Sequence, residues 1–153
     1  MATYFTNGFT TAIEAAMVEQ LRTLKLGSDN LFKNVDKWKH QIAANDGGAE
    51  SFDKFAPFAF VSYLPPAGST REGDGDLNQQ LRFAISLGFK SKAAGDARQA
   101  ISKARELVID FFDDWHPGDD FECDPFYFDG DEANVDSETR SGMMIFFKAN
   151  LID

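Results

Sequence analysis

Residues 81–90 alternate without a break: Leu81, Phe83, Ile85, Leu87 and Phe89 are apolar, and Arg82, Ala84, Ser86, Gly88 and Lys90 fall between them. Successive side chains of a strand point to opposite faces, so this period of two predicts a β-strand with one apolar face. The pattern extends back to Leu77. At about 3.3 Å per residue such a strand would reach ~45 Å, well past the usual five or six residues. A strand that long is expected to run beyond its own core.

A longer period marks two helices. Ile13, Met17, Leu21 and Leu24 line one face of the first. Thr11 and Glu14 have the spacing of a capping box at its start, and Gly27 is placed to end it. In DARQAISKARELVIDFFDDW, residues 96–115, a second stripe runs through Ala97, Ile101, Ala104, Val108 and Phe111, widened by Leu107 and Phe112. Asp96 and Gln99 repeat the capping spacing, and His116-Pro117-Gly118 punctuates the end.

The other segments are shorter. LFKNVDKW, residues 31–38, reads as a short strand, and 39–54 as an irregular connection with a helical turn. FAFVSYL, residues 58–64, is aromatic and β-branched and stops at Pro65-Pro66, so it is a strand. The polar loop PAGSTREGDGD then leads into Leu77. FECDPFYFD reads as an edge strand bulged at Pro125, DGDEANVDSETRSG as a polar connection, and MMIFFKANLI, residues 143–152, as a closing strand. Residues 1–153 thus form a single domain of α+β class. The expected architecture is an antiparallel or mixed β-sheet with two α-helices packed on one face and a long protruding β-hairpin.

Composition sharpens this picture. Hydrophobic residues at 43% exclude a disordered chain. The 16 phenylalanines are more than so small a domain needs to hide, which points to self-association. A formal net charge of −10 argues against binding a phosphate backbone through counterion release. The one cysteine, Cys123, leaves no internal disulfide and no four-cysteine metal site. MATYFTNGFT lacks the layout of a signal peptide, and no apolar run approaches ~18 residues, so a soluble protein of a reducing cytoplasm is expected, with no membrane partner.

The acidic segment REGDGD invites a metal reading that its spacing refuses. Counted from Asp74, a calcium loop of the EF-hand type would need glycine at Gln79 and glutamate at Ile85. Counted from Asp129, it would need an oxygen ligand at Ala133 and glutamate at Arg140. His40 and His116 have no helical metal partner, and Cys123 lies in a strand pattern that suits a small buried hydrophobe. No nucleophile elbow, phosphate loop or dinucleotide fingerprint occurs. No catalytic residues, metal or cofactor are expected, and the chain is not expected to be an enzyme.

Several stretches together resemble one family. IEAAMVEQLRTL, FAFVSYLPP, REGDGDLNQQLRFAISLGFK, DARQAISKARELVIDFF and RSGMMIFFKANLI cover most of the chain in order. They resemble the minor tail proteins of Mu-like phages and prophages with contractile tails. The order of elements is also similar to that of lambda-type tail terminators. This resemblance implies a structural virion protein, a tail terminator or tail-completion subunit whose copies form a ring, usually a hexamer. The ring would cap the tail tube and join it to the neck, touching the tail tube protein, the sheath protein and neck or head-completion proteins. It would sit at the neck-proximal end of the virion tail after assembly in the host cytoplasm, and DNA would pass through it without specific binding. Arg71, Glu72, Asp74 and Asp76 are then expected at the hairpin tip, facing the lumen or a neighbouring ring. A head–tail connector or stopper, or a tube-like minor tail protein, is the alternative.

Overall fold

The alternation of residues 81–89 becomes the centre of the molecule. In the computed structural model, which describes residues 9–42, 48–64, 70–71, 77–78, 80–93, 95–121 and 123–150, the side chains of Phe83 and Ile85 are fully buried. In chain order the elements are α1 (Phe9–Thr23), β1 (Lys25–Leu26), β2 (Asp29–Asn30), β3 (Asn34–Lys37), α2 (Gly48–Phe55) and β4 (Phe58–Leu64). They continue with β5 (Thr70–Arg71), β6 (Leu77–Asn78), β7 (Gln80–Lys90), α3 (Asp96–Phe112), β8 (Tyr127–Asp136) and β9 (Arg140–Asn150). The main sheet has five strands in the order β3-β4-β7-β9-β8, with β3 parallel to β4 and every other pair antiparallel. The fold is α+β with a mixed sheet, the class read from the sequence.

Both helical stripes fall where their period places them. Ile13, Met17 and Leu21 of α1, and Ala97, Ile101, Ala104 and Val108 of α3, pack with Phe83, Ile85 and Leu87 in one cluster. Ile145, Phe147 and Ala149 extend it onto β9. Two helices therefore cover one face of the sheet. Phe112, and not the half-buried Phe111, is the residue that α3 drives fully into the core.

The expected caps do not form. Helix α1 begins at Phe9, so Thr11 already lies inside it, and Glu14 is free to act elsewhere. Its Oε2 accepts the backbone N–H of Tyr63 at 3.0 Å, on the part of β4 beyond the end of β3. At α3 the N-cap is Gly95, with φ 86 and no side-chain cap. A capping residue needs extended backbone, which this left-handed glycine does not have. Gly27 closes no helix; with φ 67 it starts the two-residue turn between β1 and β2.

Three segments depart from expectation, each for a tertiary reason. Neighbouring parallel strands need a crossover, and 39–54 supplies it with helix α2, where an irregular connection was expected. Phe52 packs edge-on against Phe58 at 5.2 Å between centroids, and Phe55 against Phe60 at 5.9 Å, so α2 covers the second face of the sheet. The polar DGDEANVD, expected as connection, is most of β8. Its ladder to β9 shifts register between Phe128 and Asp131 and again between Ala133 and Val135. Ion pairs from Arg105 to Asp131 and from Arg98 to Asp136 (2.6 Å) tie it to α3, and Arg105 also lies 5.6 Å over the Phe128 ring. An edge strand with one solvated side can be this polar, because backbone pairing does not ask for apolar side chains. Finally, β9 starts at Arg140, three residues earlier than expected, because Lys90 pairs with Arg140 and the long β7 carries its partner along.

The opposite edge is closed in another way. Asn34 and Trp38 donate to Pro57 O and Val61 O at 3.2 and 2.7 Å, which turns the backbone groups of Val35 and Lys37 outward. Arg22 Nη2 donates to Val35 O at 3.2 Å, and Gln41 Nε2 to Lys37 O at 2.8 Å. The Lys37 N–H goes to Asp36 Oδ1 at 2.7 Å. Side chains thus occupy three of the four outward hydrogen-bonding positions of Val35 and Lys37 that another strand would need.

Two substitutions test this packing. Ile85→Asp places an unpaired charge between the sheet and both helices, a penalty large against the ~5–15 kcal/mol that holds a domain together. The variant should aggregate or fail to express. Gly88 lies under Phe58, and a Cβ there would stand 2.1 Å from that ring. Gly88→Ala should lower stability by about 1–3 kcal/mol in denaturant titration, because the buried ring has little room to move.

Candidate interaction surface

The expected hairpin tip is only partly described. The ladder between β4 and β7 ends at Leu64↔Arg82, and a separate two-stranded pair resumes with Thr70↔Asn78 and Arg71↔Leu77. Arg71 is therefore placed on β5, opposite Leu77. Glu72, Asp74 and Asp76 lie outside the described residues.

Beside this hairpin, the sheet's second face carries a row that sequence reading did not single out. Leu64, Arg82, Lys148 and Tyr127 are register partners across β4, β7, β9 and β8. Arg82 lies 5.7 Å over the ring of Phe146, and its Nε is buried with no hydrogen-bond partner among the described residues. Lys148 Nζ pairs with Asp129 at 3.0 Å. Tyr127 is 39% exposed, one of the few large apolar side chains so open to solvent. Helix α2 covers the other end of this face, around Phe58 and Phe60, and among the described residues no helix lies over the row. Arg82 was visible only as one polar position in an alternating strand; its neighbours across the sheet depend on register.

At the same end, the chain leaves α3 through an acidic turn. Asp113 Oδ1 accepts the Phe128 N–H at 3.0 Å, and the Asp114 N–H donates to Phe126 O at 2.6 Å. Asp114, Asp119 and Asp120 are exposed. The Gly118 N–H donates to His116 Nδ1 at 3.1 Å, so the ring proton sits on Nε2, which donates to Cys123 O at 2.9 Å. The Cys123 sulfur is 3.9 Å from the same nitrogen. Burial pushes this thiol up to about 11, and the carboxylate of Asp124 adds to the shift. A neutral thiol beside a neutral imidazole is a packed turn, with no activated nucleophile.

Two clefts lie at the far end. One of about 510 Å³ is lined by Trp38, Ile42, Phe52, Phe58, Ser86 and Val135. Another of about 370 Å³ holds Lys90, Lys92, Thr139, Arg140 and Asp53. Arg140 grips Asp53 with Nε and Nη2 at 2.8 and 2.6 Å, and Lys90 donates to the Asp53 carbonyl. The guanidinium holds the Asp53 carboxyl below its usual range, so this pair resists mild acid. Among the described residues no group of three or more His, Cys, Asp or Glu side chains could hold a metal ion. Among them, no helix is long and apolar enough to cross a membrane. No protein-family model matches the chain, and no curated protein matches it significantly.

The thiol provides a test of this end. An unfolded chain loses the Cys123 proton near the ordinary value of 9.0, while the folded chain keeps it to about 11. The unfolded state binds fewer protons in that window, so stability should fall as pH rises through it. Denaturant titrations from pH 8 to 10.5 should show this slope, and Cys123→Ala should reduce it. At pH 8 a thiol reagent should label Cys123 only after unfolding.

Proposed function

We propose that this chain is a structural subunit of a phage tail, a tail-terminator or tail-completion protein whose copies close into a ring, with six the expected number. The ring caps the tail tube, meets the tube and sheath proteins on one side and the neck on the other, and lets DNA through. The single observation that carries this reading is the β4–β7 hairpin, whose pairing resumes as β5–β6 after its ladder in the five-stranded sheet has ended. Such an arm suits contact with another subunit, since its pairing lies outside the five-stranded sheet and Thr70, Arg71 and Asn78 are polar residues.

Two further features support it. Both sheet edges are guarded, β3 by side-chain hydrogen bonds and β8 by charge and register shifts, so copies associate through faces and arms, not by adding strands. Every copy adds a formal charge of −10, and carboxylates facing a channel would keep a DNA backbone from adhering.

Electron microscopy of the purified protein should show closed rings, and imaging of virions should place them at the neck-proximal end of the tail. A monomer at every concentration overturns the reading; a ring seated against the head portal assigns a stopper instead. Asp74→Ala with Asp76→Ala should change stability by less than ~0.5 kcal/mol. Glu72→Lys should leave the fold intact and alter ring or particle yield, a split read by comparing melting curves with assembly assays.

A further inference from the structure

Arg82 is the anomaly of the second sheet face. A buried guanidinium nitrogen without an acceptor is costly, and such groups are normally paired. Its register neighbours are Leu64 and Lys148, Tyr127 lies one strand further on beside Lys148, and Lys148 is held by Asp129. An anionic partner with some apolar area would answer the Arg82 guanidinium and rest against Leu64 and the Tyr127 ring.

The chain carries such a partner on its other side. The turn after α3 presents Asp114, Asp119 and Asp120 to solvent, and among the described residues none has a hydrogen bond or ion pair through its carboxylate. Carboxylates at the C-terminal end of a helix oppose its dipole, so this placement does not serve α3. The turn is fixed at the level of the row: Asp113 and Asp114 bind the backbone of Phe128 and Phe126, the two neighbours of Tyr127. Phe126 belongs to the core on the helical face, while the row lies on the opposite face. The start of the acidic turn and the Arg82 row thus stand at one height on opposite sides of a single sheet.

We infer that these are the two halves of a heterologous contact between copies, in which Asp114, Asp119 and Asp120 of one copy seat on the Arg82–Tyr127 row of the next. A contact between two different surfaces propagates around an axis and closes into a ring when the rotation permits. This inference rests on the ring reading above and specifies the interface within it.

Charge exchange in the full-length chain tests it, with assembly followed by sedimentation velocity and electron microscopy. Arg82→Glu, and separately Asp119→Lys with Asp120→Lys, should each weaken association by roughly tenfold or more, with unchanged circular dichroism. Combining all three should restore rings, and added salt should weaken the wild-type contact. Should Arg82→Glu fail to fold, Arg82→Met, which removes the unpaired nitrogen, should fold and still assemble poorly. Rings unaffected by any of these reversals overturn the interface and leave the ring standing. Reversals that weaken assembly without rescue overturn the pairing of these two patches. A wild-type chain that never assembles overturns the interface and the ring together.

Discussion

The two faces of β7 are unequal in size, and the rest of the fold depends on that inequality. On one face, Phe83, Ile85 and Leu87 are bulky and receive both long helices. On the other, Ala84, Ser86 and Gly88 are small, and a ring can lie flat across the strand. Phe58 takes that place over Gly88 and stacks on Phe60 at 4.7 Å, which gives α2 its apolar footing. The helix layer would survive a larger residue at position 88; the placement of α2 would not.

This second layer stops short. It covers the end of the face around Phe58 and Phe60 and leaves the row at Arg82 to its own side chains. Aromatic rings therefore do two jobs in the molecule. Around Phe112, Phe126 and Phe147 it fills the core, with Trp115 edge-on to Phe126 at 5.2 Å. At Phe146 an aromatic ring instead lies under Arg82, on the surface that exposes Tyr127. The surplus of phenylalanine in the sequence is split between these uses, which composition cannot separate.

Charge is distributed with similar economy. Arg98, Arg105 and Arg140 are engaged by Asp136, Asp131 and Asp53, so much of the cationic side of the chain holds strands and helices together. Exposed acids lie along the whole described chain, among them Asp29, Glu50 and Glu138, and one group, Asp113, Asp114, Asp119 and Asp120, follows α3. A polar strand such as β8 is stable in this setting because α3 supplies its counter-charges and β9 its backbone partners.

Periodicity determined the strand from Leu81 to Phe89 and the buried stripes of α1 and α3, and residue type with the Pro65-Pro66 stop determined strand β4; the α+β class followed, since each depends on side chains within one element. Helix caps were misread, because the spacing of Thr11 and Asp96 says nothing about the backbone angle at the position that must do the capping. Helix α2 was read only as a helical turn, β8 only at its first residues, and the parallel pairing of β3 not at all, for a related reason: each is stabilised by residues distant in the chain. The surface at Arg82 lies furthest from the sequence. Leu64, Arg82, Lys148 and Tyr127 are spread over more than half of the chain, and only strand register, set by long-range hydrogen bonds, makes them neighbours.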